Sequence, residues 1–291
     1  MRVLFLTQVL PHPPDSGPKV RTWNLLASLA RHAEVTLASF VRGDVPDLRA
    51  LQSVCRAVHT VKMGRGVARD VWYLGRSLLT RRAFTVVRDE RAAMRTLVRR
   101  LVEAERFDVV HADQVYMAQY AEGVEGARRV LDAHNALWIL YRQLAGLAPP
   151  GPRRLLLARE SRLMRAYEAR VCRAFDAVIA VSPADKRALE AAMGGSSEIS
   201  VVPISVDTDA LRPVRRADAD RILHIGTMYW PPNVDAVRWF AEEVYPRVRA
   251  RRPEVRFEVL GARPPRTVRR LGRPGSGITV SGYVADATPY L

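Results

Sequence analysis

Polar residues able to contact a ligand follow the ends of apolar, strand-like runs. His134 and Asn135 come directly after RRVLDA (128–133), and Asp113 follows FDVVHA (107–112). The carboxyl ends of parallel strands face the ligand crevice of an open sheet, so these side chains are predicted to bind a ligand there. A histidine at that edge can donate to a hydroxyl group or stabilise developing charge. A structural role for His134, and helix N-caps at Asn135 and Asp113, are the alternatives.

The first loop of the chain points to the same edge. QVLPHPPDSGPKVRTWN connects an apolar run at 2–7 to a helical pattern at 20–32. Gly17 allows close backbone approach, and Lys19 and Arg21 are expected in the first turns of the helix, where anions bind. These residues suit an anionic or polyhydroxylated ligand. A proline-rich turn with solvated basic residues explains them equally well.

Several kinds of site are disfavoured. Neither a G-x-G-x-x-G fingerprint nor a phosphate-binding P-loop follows any strand, and GRPGSG (272–277) precedes one, so hydride transfer and ATP hydrolysis lose support. Cys55 and Cys172 lack metal-ligand spacing. We therefore predict no metal, no cofactor and a reduced, cytoplasmic compartment.

Composition excludes further classes. The chain has 291 residues, 48% of them hydrophobic and 26% charged, as in globular proteins. Its net charge of +16 comes almost wholly from arginines scattered along helices, without a nucleic-acid-binding motif, so we predict no nucleic-acid partner. No run of 18 apolar residues predicts a transmembrane span.

The elements that position the candidate residues alternate between strands and helices. This rhythm predicts an α/β fold with a mostly parallel, doubly wound sheet in residues 1–205. Residues 206–220 are polar and predict a linker, and the pattern restarts over 221–291 with a strand, a helix and two more strands. The second domain is therefore expected to be incomplete, with an unpaired edge on its first strand. Strands are predicted at 2–7, 34–40, 57–63, 107–112, 128–133, 176–182 and 199–203, and helices at 20–32, around 46–55, at 67–80, at 88–104, from Asn135, at 153–174 and after Ser182.

A known family shows the same motifs in the same order. The order of PHPPDSGPKVRTWNLLASLA, LDAHN, FDAVIAVSPADKRAL, VVPISVDTDALRP, ILHIGTMYWPPNVDAVRWF, VRFEVLGARP and VSGYVAD resembles family 4 of the retaining nucleotide-sugar glycosyltransferases. The resemblance covers the whole chain. It implies the GT-B architecture, with an acceptor-side and a donor-side Rossmann-like domain, and a glycan, lipid-linked or small-molecule acceptor.

The resemblance also assigns roles to residues. It implies that Gly17 lies near the donor phosphates and the acceptor, and that His134 contacts the transferred sugar as the catalytic residue. The turn of Gly226, Thr227 and Met228 is expected to approach the donor diphosphate. Retention in this family is usually explained by front-face attack, in which a leaving-group phosphate oxygen helps to take the acceptor proton.

The chain departs from the family pattern at several points. Pro18 stands where a second glycine is frequent, and the linker reads Pro-Ile-Ser-Val-Asp at 203–207 instead of Pro-Asn-Gly-Val-Asp. The pair of glutamates that binds the donor in this family is expected beyond Leu291. We therefore expect the donor site to be mostly absent and the 291-residue chain alone to be inactive or nearly so.

A non-catalytic module is the alternative function. The first domain could bind an acceptor, or the basic helix over 153–175, with GRSLLTRRAF (75–84), could rest on the anionic inner face of a membrane. Packing of this helix on the sheet, with its arginines facing solvent, is the favoured interpretation.

Overall fold

The computed structural model describes residues 1–195, 198–208, 220–284 and 287–290. They divide into two compact units, one of residues 1–14 and 18–205, the other of residues 15–17 and those from 206 onward. Each unit has its own parallel sheet and its own apolar core. Most of the predicted linker, residues 209–219, and the chain end at Leu291 lie outside the described residues.

A parallel sheet of seven strands forms the first unit. Its order is β3-β2-β1-β4-β5-β6-β7, a doubly wound arrangement that reverses direction beside β1. The α/β class and the parallel sheet predicted from the sequence are confirmed. The strands are β1 Arg2–Thr7, β2 Glu34–Val41, β3 Ala57–Lys62, β4 Val109–Asp113, β5 Arg128–Ala133, β6 Ala177–Ala180 and β7 Ile199–Val201.

Both faces of this sheet are covered. Leu4 and Leu6 of β1 pack into one apolar cluster, whereas Val3 and Phe5 pack into another. Successive side chains of a strand point to opposite faces, so a strand buried on both sides must be apolar at every position. This explains the continuous apolar run at the start of the chain.

Nine α-helices connect the strands of the first unit in the described residues. The sequence predicted a helix around 46–55, but only four residues of it are helical. The helices are α1 Gly17–Ala30, α2 Arg49–Gln52, α3 Val67–Thr80, α4 Phe84–Arg88, α5 Ala92–Ala104, α6 Ala118–Ala121, α7 Leu137–Leu147, α8 Pro152–Ala174 and α9 Pro183–Met193.

The helix predicted at 88–104 begins only at Ala92, and a break at residues 89–91 separates it from α4. The hydroxyl of Tyr120 accepts from the backbone N–H of Arg91 at 2.8 Å and donates to the carbonyl oxygen of Asp89 at 2.5 Å. A side chain therefore takes over two backbone groups, and the helical pattern is interrupted there. The sequence around the break gives no local sign of this distant partner.

The long helix α8 packs inside the first unit. It buries seven residues and contacts α7 and α9. Buried Glu160 accepts hydrogen bonds from the backbone N–H groups of Phe84 and Thr85 at 2.8 and 2.9 Å, which caps the start of α4. These contacts support the packed-helix interpretation of 153–175. None of the described helices combines the length and apolar character needed to cross a lipid bilayer.

The second unit contains a parallel sheet of three strands, in the order β10-β9-β8. Its core includes Met228, Val237, Tyr245, Phe257 and Val259. The first strand, β8, lies at an edge of this sheet within the described residues. The elements are β8 Arg221–Ile225, α10 Pro231–Trp239, α11 Tyr245–Arg251, β9 Arg256–Leu260, α12 Arg266–Arg269 and β10 Ile278–Gly282.

Candidate functional site

Three neighbouring strands of the first unit end in polar residues that lie side by side. Thr7 of β1 is in register with Asp113 of β4, and Asp113 is in register with Asp132 of β5. Residues in register on parallel strands point to the same face, so these side chains meet at the carboxyl edge of the sheet. All three are fully buried. This edge therefore holds two buried carboxylates, which require partners.

Helix α1 supplies partners for both carboxylates. The guanidinium of Arg21 donates to Asp132 through Nε and Nη2 at 3.0 and 2.7 Å, and its Nη1 donates to the carbonyl oxygen of Val202 at 2.7 Å. Thr22 Oγ1 lies 3.0 Å from a carboxylate oxygen of Asp113. Arg21 is only 4% exposed. Its charge is engaged by a protein carboxylate, so it joins α1 to β5 and to the segment after β7.

His134 completes the cluster. Its Nε2 lies 2.8 Å from Asp113 Oδ1 and 3.8 Å from Asp132 Oδ2, and its side chain is 8% exposed. Burial by itself would lower the pKa of His134, but the charge and hydrogen bond of Asp113 outweigh burial and raise that pKa. Burial would likewise raise the pKa of Asp113, yet His134 holds it below its usual range. His134 and Asp113 therefore stabilise each other's charged forms.

The structure decides between the alternatives for Asp113. The N-caps of the two short helical segments that follow it are Gln114 and Met117, neither of which makes a side-chain cap hydrogen bond. Asp113 instead accepts from Thr7 at 2.9 Å and pairs with His134. The helix-capping alternative for Asp113 is wrong, because its carboxylate points across the sheet edge.

Asn135 is exposed and does not cap a helix. Helix α7 begins at Leu137, and Glu168 of α8 accepts the backbone N–H groups of Leu137 and Trp138 at 2.7 and 3.0 Å. The N-cap prediction for Asn135 is wrong, since a carboxylate from another helix provides that function. Burial raises the pKa of Glu168 to about 8.

A second carboxylate fixes the same loop. Asp185 accepts the backbone N–H of Ala136 at 3.1 Å, and α9 itself is capped by Ser182, whose hydroxyl accepts the N–H of Asp185 at 3.1 Å. The helix predicted after Ser182 is confirmed, and Ser182 is its N-cap. Glu168 and Asp185 were not predicted as site residues, because they lie far along the chain from the loop that they hold.

A metal-binding interpretation of the cluster conflicts with its existing pairs. Donor atoms of His111, Asp113 and Asp132 lie within 4.8 Å of one another. His111 is buried and stacked on Phe5 with ring centroids 4.4 Å apart, and burial lowers its pKa. Its Nε2 has no hydrogen-bond partner among the described residues. A cation would have to displace Arg21 or His134 from carboxylates that they already neutralise.

The first loop leaves the backbone of Gly17 open. Gly17 begins α1 and is exposed, and a Cβ added to it would meet no described atom within 4 Å. Close approach by a ligand is thus sterically available. Lys19 Nζ donates to the carbonyl oxygen of Pro13 at 3.4 Å and is half-buried.

The turn after β8 in the second unit differs from its prediction at one residue. Met228 is 1% exposed and belongs to the apolar core, so its side chain cannot reach a ligand. The N–H groups of Gly226 and Met228 donate to the carbonyl oxygens of Leu260 and Ala262, both at 3.0 Å. Thr227 is half-buried and remains the residue of this turn with an accessible side chain.

Close packing explains the glycines at this turn. A Cβ on Gly226 would lie 2.8 Å from Asn233 Nδ2, and a Cβ on Gly261 would lie 1.7 Å from the carbonyl oxygen of Gly226. Two strand ends therefore approach closely through glycine backbone. The motif that contains Gly261 gives no local sign of this contact, which joins residues far apart in the chain.

Two protein-family models match the chain. The model described as Glycosyltransferase Family 4 matches residues 16–210, and that of Glycosyl transferases group 1 matches residues 219–291. The first match includes every predicted site residue of the first unit, and the second includes the turn after β8. No curated protein sequence matches.

Solved structures share the fold at low sequence identity. TarM is 8% identical with a TM-score of 0.58, and the match covers 99% of this chain and 78% of that protein. A UDP-forming α,α-trehalose-phosphate synthase from Burkholderia vietnamiensis is 15% identical with a TM-score of 0.56, over 99% of this chain and 74% of the synthase. The UDP-GlcNAc 2-epimerase from Neisseria meningitidis, bound to UDP-GlcNAc, is 12% identical with a TM-score of 0.51, over 100% and 74%. At such identity the likeness shows a common fold only.

Proposed function

The chain belongs to glycosyltransferase family 4 and has the GT-B type of α/β fold, and from this we propose that it transfers a sugar from a nucleotide-sugar donor to a glycan, lipid-linked or small-molecule acceptor, with retention. One observation carries the proposal. The sheet edge in the family-matched segment presents His134, held by Asp113, where an open α/β sheet binds ligands.

His134 orients the transferred sugar in this proposal. Its Nε2–H donates to Asp113, which is itself fixed by Thr7 and Thr22, so the imidazole has one favoured orientation. The Nδ1–H of the charged ring then donates to a hydroxyl of the sugar. A donor preorganised in this way stabilises charge that develops during transfer and needs no rearrangement.

The buried carboxylates support transfer without a protein nucleophile. Asp113 and Asp132 are fully buried and already hydrogen-bonded, so neither is available to attack the sugar. In the proposed step the acceptor oxygen bonds to the anomeric carbon on the face from which the nucleotide phosphate departs. The acceptor proton passes to a leaving phosphate oxygen, and retention follows because both events occur on one face.

The donor is proposed to be a nucleotide-sugar bound without a metal. Exposed backbone at Gly17 and the half-buried turn at Gly226 and Thr227 are the proposed phosphate contacts. Two structural neighbours are a UDP-forming synthase and an epimerase bound to UDP-GlcNAc, which supports a nucleotide-linked donor. The proposal places the protein in the cytoplasm, with peripheral contact to an anionic membrane. We expect these 291 residues alone to be inactive or nearly so, because the glutamate pair of the family is not among them.

A donor panel tests this function. UDP-, GDP-, ADP- and dTDP-sugars are offered with glycan and lipid-linked acceptors, and nucleotide release is measured for the purified chain and for the product of the natural gene. His134→Gln should lower transfer by about 100-fold or more. His32→Gln, at an exposed histidine, is the matched control and should leave the rate unchanged. Neither donor binding nor nucleotide release with any member of the panel would contradict the proposal.

A further inference from the structure

Helix α3 exposes its apolar side chains instead of burying them. Val67 is 83% exposed, Val71 65%, Trp72 60% and Leu79 88%, whereas Ser77 is the buried residue of the helix. A surface helix normally directs its apolar stripe to the core and its polar face to solvent. The outward apolar face of α3 therefore lacks a partner among the described residues.

The start of α8 extends this apolar face. Arg159 of α8 donates to the hydroxyl and carbonyl oxygens of Ser77 at 3.1 and 2.6 Å, which fixes α8 against the end of α3. One turn before Arg159, Leu155 is 72% exposed and Leu156 43%. The α3 surface is defined here as the set Val67, Val71, Trp72, Leu78, Leu79, Leu155 and Leu156.

The charges around the α3 surface are almost all positive. Arg69 and Arg81 are exposed at α3, and Arg153 and Arg154 are exposed at the start of α8. Residues 152–159 contain no acidic residue.

The acidic residues near the α3 surface are half-buried or paired with arginines. Asp70 is the one acidic residue of α3 and is half-buried. Glu90 is engaged by Arg76 and Arg82 at 3.3 and 3.0 Å. The exposed arginines therefore border an apolar surface with little negative charge on it.

We propose that the α3 surface docks the first unit onto an anionic lipid bilayer. Its leucines and valines enter the boundary between headgroups and acyl chains, Trp72 lies at that boundary, and the bordering arginines contact lipid phosphates. The apolar side chains match the acyl region of a bilayer, and the arginines at the border match its anionic headgroups. This inference rests on the proposed function, since it names the surface that would bring the site to a lipid-linked acceptor.

The surface differs from the one that the sequence suggested. Most of the basic helix over 153–175 packs against neighbouring helices through residues such as Met164 and Glu168, so only its first turns border the docking surface. Helix α3, of which the sequence analysis noted only 75–84, supplies most of the exposed apolar side chains.

Vesicle sedimentation tests the proposal. The full chain is mixed with phosphatidylcholine vesicles with and without phosphatidylglycerol, and the bound fraction is measured at low and high salt. We expect binding only with phosphatidylglycerol, and weaker binding at high salt. The double variant Trp72→Ser, Leu79→Ser should reduce partitioning by about tenfold or more, because it removes two side chains that insert.

A matched control separates the surface from general hydrophobicity. Trp239 of the second unit is also 60% exposed, so Trp239→Ser removes an equally exposed tryptophan and should bind vesicles like the unaltered chain. Circular dichroism confirms folding of each variant. Equal binding by the double variant, or no binding by the unaltered chain at low salt, would overturn the proposal. So would a dimer in light scattering that the double variant converts to a monomer.

The test also separates the two proposals. Donor binding is measured by ligand-observed NMR without vesicles, with UDP-sugars as the probes. Vesicle binding without donor binding would contradict the proposed function and leave the docking surface intact. Donor binding without vesicle binding would do the reverse.

Discussion

The two units end their first strands in opposite ways. In the first unit, the carboxyl edge of the sheet is filled by charged side chains that neutralise one another, as in the pairs of Arg21 with Asp132 and His134 with Asp113. In the second unit, β8 ends at Ile225 and is followed by Gly226, whose carbonyl oxygen occupies the space beside Gly261. Paired charged side chains form the first strand end, whereas closely packed glycine backbone forms the second.

The two strand ends can therefore contact a ligand in different ways. Buried charges are costly unless every one is paired, so the cluster of the first unit is rigid and responds to pH. A glycine turn brings no charge but lets another backbone or a ligand approach closely. Substitutions at the first end should therefore act through electrostatics, and those at the second through steric overlap.

The largest effect is expected when a charge in the first unit loses its partner. Asp132→Asn leaves the guanidinium of Arg21 buried at 4% exposure without its carboxylate. The free energy of unfolding should fall by about 3–5 kcal/mol, as for other broken buried ion pairs. Urea unfolding followed by circular dichroism measures it.

An exposed ion pair provides the control for this substitution. Asp47 pairs with Arg49 at 2.6 Å, but both side chains are exposed, at 58% and 87%. Asp47→Asn should leave the unfolding midpoint unchanged, because exposed pairs contribute little. Equal effects of the two substitutions would show that burial does not set the strength of the Asp132 pair.

A smaller effect is expected from steric overlap in the second unit. Gly261→Ala places a Cβ 1.7 Å from the carbonyl oxygen of Gly226, so the backbone must shift. We expect a loss of about 1–3 kcal/mol, confined to the second unit. Hydrogen exchange should show faster exchange in β8 and β9 and unchanged protection in β1. Lowered protection in both sheets would contradict the expectation that the effect is confined to the second unit.

The charge cluster should also make stability depend on pH. The pKa of His134 is raised by its pairing with Asp113, so the pair stabilises the fold fully below the ordinary histidine pKa of about 6.5 and fades as pH rises through the raised value. Asp113 has a lowered pKa, so its contribution is present above about pH 4 and is lost as pH falls through that lowered value.

The variant His134→Gln tests this pH dependence, through the difference in free energy of unfolding between the unaltered chain and the variant. The free energies of unfolding of the two proteins are compared from about pH 4 to about pH 9, at intervals of about 1 pH unit. This covers the range in which these groups titrate. The difference should be largest near pH 5–6 and shrink at higher pH. A pH-independent difference would mean that His134 is held by packing alone.

The smallest effect on stability is expected at Gly17. A Cβ there meets no described atom within 4 Å, so Gly17→Ala should change the free energy of unfolding by less than about 0.5 kcal/mol. If a ligand uses this open backbone, the same substitution should weaken donor or acceptor binding. Calorimetric titration measures binding beside the unfolding curve. Lost stability with unchanged binding would assign Gly17 a structural role.

Much of the first unit could be predicted from the sequence. The continuous apolar run of β1 and the helical spacing that follows it indicated a buried strand and a covering helix, and both occur at the predicted place. Local patterns succeed there because strand and helix periodicity act over a few residues. The helix prediction failed at the break before α5 for the opposite reason, because Tyr120 contacts this break from a distant part of the chain.

The candidate site was predicted only in part. His134 and Asp113 were each placed at a strand end, but their direct pairing depends on strand register, which a single sequence does not reveal. Arg21 was expected to meet a ligand, and the structure pairs it with Asp132. Met228 was expected in the turn that approaches the donor, and its side chain belongs to the core.

The α/β class, the alternation of elements and the membership in a glycosyltransferase family could be inferred from the residues alone, because these depend on local periodicity and on the order of motifs. The folded structure was needed to show which charges are paired, which glycine is sterically required and which helix faces solvent with apolar residues. Those properties arise when distant residues such as Asp113 and His134, or Gly226 and Gly261, are brought together. The free energy of such contacts depends on burial and distance, which exist only in the folded chain.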